Sequence, residues 1–318
     1  MAMIAILLAT RRPMLSSYFS SPKTAPQKPP RQPADTSAPK DISYIDSSRR
    51  IARISNQYRI LKKIPHDSQF FTQGLTVLSL NEKGNHTLLV EGTGLYGDSQ
   101  IVIYDPNQID ETTSLPKLLT QIPLDAHYFG EGICIYEDSE GVTKVIQLTY
   151  KEQLGLVYRL DRSTLKLVPE SVFPFTTTTS EGWGITYDPK QQEFYVSDGS
   201  EWIQVWNLAR QEIRRFRVTF VPSTEHIQQP QRIANVNELE WDASTSTILA
   251  NVWYQDVLVR IDPMQGYVLT VYDLSNLYIN RDPDADCLNG IAIDPQYPYH
   301  VWVTGKNWPH LYFLELAE

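Results

Sequence analysis

The sequence of 318 residues predicts an all-β fold, a five-bladed β-propeller, on three observations. A short phrase rich in glycine, or in Asn and Glu, returns five times along the chain. Several runs of β-branched and apolar residues follow each phrase. The last unit lacks one such run, and a matching run stands before the first unit. A period of about 50 residues is typical of one supersecondary unit copied around an axis.

The five phrases mark the start of the five units. They are FTQGL from Phe71, FGEGI from Phe129, EGWGI from Glu181, NELEW from Asn237 and LNGIA from Leu288. The spacings between equivalent positions, counted from Gly74 through Gly132, Gly184 and Leu239 to Gly290, are 58, 52, 55 and 51 residues. The usual rungs of a linear β-solenoid are much shorter, so that architecture is the less favoured alternative.

The pattern within each unit indicates strands. The second runs are TLLVEGT, KVIQLTY, EFYVSDG, TILANVW and HVWVTGK, and the third runs are QIVIYD, GLVYRLD, WIQVWNL, VLVRID and HLYFLEL. Fourth runs close the first four units: LTQIPLD, SVFPFT, RRFRVTF and VLTVYDL. Runs of this kind, separated by Asp, Asn, Gly and Ser, are typical of strands joined by tight turns.

The fifth unit has three predicted strands. An unpaired strand edge invites association with another chain, so a closed ring needs a partner for that edge. The run QYRILKKI, residues 57–64, is the available partner. The sequence therefore predicts that the N-terminal strand completes the last blade.

The first 50 residues differ in composition from the rest. They contain eight Lys or Arg and three Asp or Glu, with a Pro- and Ser-rich tract over residues 20–39. Such a tract cannot bury enough apolar surface to offset the entropy lost on ordering. We therefore expect a disordered leader over residues 1–50 and one propeller domain over residues 51–318. The leader favours the secretory pathway or the extracellular space, and an organellar transit peptide is the alternative.

Charge and hydropathy narrow the range of partners. Outside the leader the chain has 20 basic and 34 acidic side chains. Nucleic acid is therefore not expected as a partner, because phosphate binding needs the opposite balance. The apolar stretch 1–9 is far shorter than the ~20 residues of a spanning helix, so no membrane span is expected. A monomer is expected.

Cysteine and histidine give no metal signal. Cys134 and Cys287 lie in different units, and we predict two unpaired, buried thiols rather than a disulfide. The six histidines show no ligand spacing, and neither HExxH nor CxxC occurs. No metal ligands are assigned and no cofactor is expected, although the pattern leaves room for a structural cation in the central channel.

The starts of the innermost strands of a propeller converge at the mouth of its channel. The phrases would bring ten side chains there: Phe71, Gln73, Phe129, Glu131, Glu181, Trp183, Asn237, Glu238, Glu240 and Asn289. For the glycines, and for Trp183 and Trp253, packing between blades is the ordinary alternative. Glu131 is different, because a carboxylate between two glycines packs against nothing, and buried Glu is rare unless paired or functional.

Taken in order, the phrases FTQGL, EGTGLYGDS, FGEGI, EGWGI, VSDG, NELEW, ANVW, LNGIA and TGKNWP resemble the plant- and bacterial-type glutaminyl-peptide cyclotransferases. The resemblance covers about Tyr58 to Leu314. It implies a five-bladed propeller that needs no zinc and that acts on peptides and proteins with an N-terminal glutamine. The implied reaction forms pyroglutamate and releases ammonia.

The resemblance also implies roles for single residues. Glu131 matches the acid–base catalyst, and Lys306 matches the group that stabilises the oxyanion. Gln73 and Asn237 match polar catalytic contacts. Tyr150 stands where the family tends to have Trp, and this departure bears on the shape of the pocket. The aromatic walls of the pocket match Phe71, Phe129, Trp183 and Trp253.

Two other functions stay open on the residues alone. A propeller can present a surface to a protein or peptide partner without catalysis, because a fold does not assign a function. A metal-dependent hydrolase of lactones or phosphoesters is the second alternative, and it would need a His/Asp/Asn ligand cluster that the sequence does not show.

Overall fold

The computed structural model describes residues 51–80, 86–222 and 230–317. These residues form 23 strands and contain no helix, hence none that could cross a membrane. The leader expected over residues 1–50 lies outside the described residues, as do residues 81–85, 223–229 and 318 of the expected propeller domain.

The strands group into five sheets and one small ribbon. Two strands precede the first repeat: β1 (Arg53–Ser55) and β2 (Tyr58–Pro65). Blade 1 contains β3 (Thr72–Ser79), β4 (Thr87–Thr93), β5 (Gln100–Ile109) and β6 (Pro116–Pro123). Blade 2 contains β7 (Gly130–Glu137), β8 (Thr143–Thr149), β9 (Leu154–Asp161) and β10 (Lys166–Pro174). Blade 3 contains β11 (Ile185–Asp188), β12 (Glu193–Ser197), β13 (Trp202–Trp206) and β14 (Glu212–Arg217).

A two-stranded ribbon of β15 (Thr219–Phe220) and β16 (Gln231–Arg232) follows blade 3. Blade 4 contains β17 (Val236–Asp242), β18 (Thr247–Val252), β19 (Val257–Ile261) and β20 (Val268–Asp273). Blade 5 contains β21 (Leu288–Ile293), β22 (His300–Gly305) and β23 (His310–Leu316).

The blades form a closed ring. Each is an antiparallel meander, and its first strand is the innermost one. The innermost strands β3, β7, β11, β17 and β21 contact one another in that order, and β21 contacts β3 again. The five phrases therefore stand at or just before the innermost strands, and the predicted five-bladed β-propeller is confirmed.

Hydrophobic side chains fill the space between neighbouring blades. Val90 and Ile103 of blade 1 pack in one cluster with Val145 and Tyr158 of blade 2. Strands in the middle of a blade are covered on both faces, and every residue of β8 is buried. Both predicted thiols, Cys134 and Cys287, are buried and unpaired.

Glycines of the phrases allow the inner strands to approach closely. A Cβ on Gly184 would lie 2.2 Å from the Asn237 carbonyl oxygen, and one on Gly132 would lie 2.5 Å from the Trp183 carbonyl oxygen. A Cβ on Gly74 would lie 2.5 Å from the backbone nitrogen of Ile133. The packing role expected for these glycines is confirmed, because any side chain would force the inner strands apart.

The N-terminal strand closes the ring as predicted. β2 pairs antiparallel with β23, from Tyr58 opposite Leu316 to Pro65 opposite His310, with a bulge between Ile60 and Lys62. The sequence did not predict β1, which pairs parallel with the outer strand β20 of blade 4. The segment before β2 therefore covers the edge of one blade, and β2 completes the next.

His66, the residue after β2, fastens this closure to blade 1. Its backbone N–H donates to the Pro309 carbonyl over 3.0 Å, and its Nδ1 lies 2.7 Å from the Trp308 carbonyl oxygen. Its Nε2 lies 3.1 Å from the Glu91 carboxylate on β4. Both side chains are buried, so the contact lies out of reach of solvent.

Glu91 also accepts hydrogen bonds from the hydroxyls of Thr72 (2.7 Å) and Tyr104 (3.0 Å). Both ring nitrogens of His66 lie within hydrogen-bond distance of oxygen atoms, so the doubly protonated ring can donate to both. Burial alone would lower the pKa of His66, but the Glu91 carboxylate and the hydrogen bonds to Glu91 and Trp308 raise it above its ordinary value. A buried His66–Glu91 pair, which is charged at pH values below the raised pKa of His66, thus joins blade 5 to blade 1.

Glu91→Gln keeps the side-chain shape and removes the counter-charge of His66. Loss of one member of a buried ion pair typically costs about 3–5 kcal/mol. We expect the free energy of unfolding, measured by urea denaturation at about pH 6, to fall by that order. The exposed Glu111→Gln is the matched control.

The effect should depend on pH in one direction. Because the pKa of His66 is raised in the folded protein, the pair contributes fully below about pH 6.5, the unfolded pKa, and its contribution is lost as pH rises through the folded pKa. The difference in free energy of unfolding between the wild type and Glu91→Gln should therefore decrease as the pH rises. A difference that stays constant would show that His66 does not titrate against Glu91.

Candidate active site

A cavity of about 190 Å³ opens at the channel end where the innermost strands begin. It is lined by the nine residues to which the sequence assigned catalysis or substrate binding, together with two that were not predicted, Tyr254 and Asp286. The predicted nine are Phe71, Gln73, Phe129, Glu131, Tyr150, Trp183, Asn237, Trp253 and Lys306.

Strand direction explains why these residues meet. Phe71, Phe129 and Trp183 stand just before or near the starts of innermost strands. The second strand of each blade runs antiparallel to the first, so its end lies at the same mouth. Tyr150, Trp253 and Lys306 each follow such a second strand directly.

β-Bulges aim the polar side chains of the phrases. The ladder between the first and second strands shifts register across Thr72–Gly74, Gly130–Ile133 and Val236–Leu239, which contain Gln73, Glu131 and Asn237 respectively. A bulge bends its strand and re-aims a side chain, and bulges are frequent next to active sites. The same device in three blades directs three polar groups to one cavity.

The polar floor of the cavity is almost completely buried. Gln73 and Asn237 are each 2% exposed, Glu131 is 5% exposed and Lys306 is 6% exposed. The Gln73 amide donates to Glu131 Oε1 over 3.2 Å. Buried polar groups of this kind are costly unless they are paired or functional.

Burial raises the pKa of the Glu131 carboxyl well above its ordinary value. The nearby Lys306 ammonium opposes this rise, whereas the charges of Glu181 and Glu152 add to it. A carboxyl whose pKa is raised is a stronger base when ionised and keeps its proton to higher pH when protonated. Glu131 therefore has the properties of a general acid–base.

Lys306 lies on a tight turn after β22. Its backbone N–H donates to the Cys287 carbonyl (3.0 Å), and the next N–H, that of Asn307, donates to the Phe70 carbonyl (2.9 Å). The ammonium lies 4.8 Å from the ring centroid of Phe71. It makes no hydrogen bond or ion pair to another described residue. The turn thus presents a free positive charge to the cavity.

Of the two asparagines predicted at the mouth, Asn237 lines the cavity and Asn289 does not. The Asn237 side-chain oxygen is buried and, among residues 51–80, 86–222 and 230–317, finds no donor. Since Asn237 lines the cavity, this oxygen is available to a substrate N–H. The Asn289 amide donates to the Thr72 carbonyl (2.9 Å) and does not line the cavity. Asn289 therefore supports the strand that carries Gln73.

Glu238 and Glu240 also do not reach the cavity wall, contrary to the sequence prediction. Glu238 accepts the Leu75 N–H (3.3 Å), and Glu240 accepts the Thr76 hydroxyl (3.1 Å). Burial raises the pKa of Glu240 to about 8. Each residue along a strand lies ~3.3 Å farther from the mouth, so these two carboxyls lie inside the channel instead.

Aromatic rings form the walls of the cavity. Phe129 lies between Phe71 and Tyr150, at centroid distances of 6.3 and 5.5 Å. Trp183 and Trp253 meet edge to face at 5.4 Å, and both are half-buried. The two tryptophans contact each other across blades 3 and 4, and both also line the cavity. Each therefore packs between blades and forms part of the pocket wall.

Glycines make room for these rings. Gly199 has φ +75°, and a Cβ there would lie 2.5 Å from the Trp183 ring. A Cβ on Gly94 would lie 2.5 Å from the Phe129 ring. The last glycines of the phrases VSDG and EGTG therefore leave the space that the Trp183 and Phe129 rings occupy.

Tyr150 keeps an aromatic wall where the resemblance implied Trp. Burial, followed by a hydrogen bond to Glu181, raises the pKa of its hydroxyl to about 12. Glu181 also accepts the indole N–H of Trp183 over 3.0 Å. Glu181 does not line the cavity itself, but it ties two of its walls together.

Sequence reasoning missed Tyr254 and Asp286. Tyr254 packs on Trp253 at 4.4 Å, has φ +58° and is 66% exposed. Asp286 lies in the connection between blades 4 and 5, just before LNGIA. Tyr254 directly follows the phrase ANVW, and this position could have indicated that it lies near the cavity. Asp286 belongs to none of the repeated phrases, so its position in the sequence carries no such indication.

Within the described ranges, no group of three His, Cys, Asp or Glu side chains is arranged to hold a metal ion. A structural cation in the central channel stays a prediction.

The fold and the cavity define a five-bladed propeller with a small, aromatic-walled pocket containing a buried carboxyl, two amides and a lysine. The chain belongs to the glutamine cyclotransferase family, whose sequence model matches residues 37–316. It is 32% identical over 282 residues to a glutaminyl-peptide cyclotransferase of Arabidopsis thaliana, covering 87% of this chain and 75% of that protein. The predicted family is confirmed.

A solved structure, the glutaminyl cyclase of Myxococcus xanthus, has the same fold. It superposes with a TM-score of 0.62 at 24% sequence identity, covering 84% of this chain and 99% of that one.

Proposed function

We propose that this protein is a glutaminyl-peptide cyclotransferase that converts the N-terminal glutamine of peptides and proteins to pyroglutamate and releases ammonia. Membership of the family and the 32% identical relative support this activity. The observation that carries it is the buried Glu131 carboxyl beside the free ammonium of Lys306, in a cavity of about 190 Å³. Drug-sized ligands need roughly 300–1,000 Å³, so this cavity suits a single residue.

The reaction is an intramolecular acyl transfer. The neutral α-amine attacks the side-chain amide carbon, a C–N bond forms, and an oxyanion develops on the amide oxygen. The bond to the amide nitrogen then breaks, and this nitrogen leaves as ammonia after gaining a proton. No covalent nucleophile of the protein is required, because the substrate supplies its own, and the expectation that no cofactor is needed rests on this chemistry.

Glu131 would move the proton. Its ionised carboxylate takes a proton from the attacking α-amine and then gives it to the leaving nitrogen. A raised pKa suits both steps, because the carboxylate is a stronger base and its acid form persists to higher pH. The hydrogen bond from Gln73 to Oε1 fixes the orientation of the carboxyl.

The other cavity residues would bind and orient. Lys306 stabilises the oxyanion, and the unpaired Asn237 oxygen accepts an N–H of the substrate. The rings of Phe71, Phe129 and Trp183 exclude water and fold the glutamine side chain toward its own amine. The secretory pathway, with an organelle as the alternative, and a monomeric state remain predictions.

Two peptides test the activity. A Gln-Ala peptide should release ammonia and lose the corresponding mass, whereas its N-acetylated form should not react, because it has no free amine. Absence of turnover with Gln-Ala would refute the proposal and would favour a propeller that only binds partners. Loss of activity on chelation would instead favour a metal-dependent enzyme.

Glu131→Gln preserves shape and removes proton transfer. General acid–base catalysis contributes ~10²- to 10⁴-fold, so kcat should fall by that order with the thermal transition unchanged. The exposed Glu140→Gln is the matched control. The wild-type rate should rise with pH through the pKa of the substrate amine, ~7.7–8.0, because only the neutral amine attacks. Near-normal turnover in Glu131→Gln would remove this residue from the mechanism.

Lys306→Met keeps the aliphatic stem over Phe71 and deletes the charge. Loss of an oxyanion donor commonly costs ~10²- to 10³-fold in kcat, so kcat and kcat/KM should fall together. Lys190→Met, at an exposed turn, is the control. A raised KM with unchanged kcat would assign Lys306 to substrate capture instead.

A further inference from the structure

The cavity has room for the N-terminal glutamine of a substrate, so the second residue of the peptide lies outside it. Both reacting groups of the glutamine must lie at the polar floor formed by Gln73, Glu131 and Lys306. At about 190 Å³ the cavity is smaller than the roughly 300 Å³ at which pockets for larger ligands begin. The peptide therefore leaves through the mouth, and its second side chain meets the outermost groups of the lining.

Tyr254 and Asp286 are the lining residues without a place in the proposed chemistry. Tyr254 is 66% exposed, the highest exposure recorded for any lining residue, and it packs on Trp253 at 4.4 Å. Asp286 is half-buried and lies close enough to Tyr254 for its charge to be the largest cause raising the pKa of that hydroxyl. Both residues line the same cavity, so they lie near each other at its mouth.

The carboxylate of Asp286 is uncommitted. Its backbone is fixed, since its N–H donates to the Lys306 carbonyl (2.9 Å) and its carbonyl accepts the indole N–H of Trp308 (2.9 Å). Its side chain makes no hydrogen bond or ion pair within the described part of the chain. A carboxylate held in place by its backbone, facing a cavity and lacking a partner, is available to a cation from the substrate.

Neighbouring charges do not cancel it. Glu181 and Glu152 lie near enough to affect the Glu131 carboxyl electrostatically. The exposed Lys151 lies over Tyr150 at 4.7 Å and within 3.9 Å of Glu181, on the side of blade 2. Lys306 is buried at the floor. Arg281, which lies over the Trp308 ring, is paired with Asp256. No described cation is thus paired with Asp286, and its carboxylate favours positive charge at this part of the mouth.

We infer that Asp286 and Tyr254 form the subsite for the second residue of the substrate and select peptides with Lys or Arg directly after the N-terminal glutamine. The aliphatic stem of the basic side chain lies on the face of Tyr254, and its cation pairs with Asp286. An acidic second residue meets like charge. This inference rests on the proposed cyclotransferase function.

Peptides Gln-Arg-Ala, Gln-Ala-Ala and Gln-Glu-Ala, all amidated at the C-terminus, test the inference by ammonia release. Partly exposed ion pairs contribute modestly, so we expect kcat/KM to fall in that order, with Gln-Arg exceeding Gln-Glu by about three- to tenfold. The difference should lie in KM, because Asp286 touches no reacting atom. It should shrink between about 0.1 and 1 M salt, as the Debye length falls from about 10 to 3 Å.

Asp286→Asn is nearly isosteric and should lower the Gln-Arg to Gln-Glu ratio toward one, whereas Asp286→Lys should reverse the order. Asp284→Asn makes the same charge change on an exposed residue two positions away and should keep the wild-type ratio. Equal turnover of all three peptides by the wild type, or an unchanged ratio in both Asp286 variants, would overturn the inference. If the proposed function itself is wrong, none of the three glutaminyl peptides releases ammonia, and this result distinguishes the two failures.

Discussion

The close approach of the five innermost strands is the constraint on which this structure depends. At Gly74, Gly132 and Gly184 the backbone of one blade touches that of the next where a Cβ would stand. These contacts keep the ring narrow. A narrow ring brings the first residues of separate blades within reach of one small cavity, although they are more than 50 residues apart in sequence. The same glycines therefore allow both the close packing of the inner strands and the convergence of the cavity residues.

Closure of the ring is coupled to the site through one buried network. β2 completes blade 5, and His66 follows it directly and faces Glu91 of blade 1. Glu91 accepts the hydroxyl of Thr72, which stands between two cavity residues, Phe71 and Gln73. His66 also binds the turn after Lys306 through the Trp308 carbonyl. The strand that closes the ring thus helps to orient both a wall and the positive charge of the pocket.

Burial sets the electrostatics of the cavity. Glu131 and Lys306 are both almost fully buried, and the Lys306 ammonium acts on the Glu131 carboxyl without a direct ion pair between them. Desolvation raises the pKa of the carboxyl, and the ammonium keeps that rise in check. Both groups consequently remain available to a substrate rather than neutralising each other. A pair held apart in this way differs from a structural salt bridge such as Arg260 with Asp242.

The sequence by itself determined the ring, its closing strand and, through the repeated phrases, six residues of the cavity. The family resemblance added Tyr150, Trp253 and Lys306. Repeat period and strand alternation are local properties of the chain, and equivalent positions in a closed repeat must meet around its axis. Tertiary structure alone decided the rest. β1 finds a parallel partner far along the chain, and Glu238 and Glu240 lie inside the channel because of their depth along β17. Tyr254 lies in the turn between β18 and β19, and Asp286 lies in the connection between blades 4 and 5. The path of such a turn or connection depends on what it packs against.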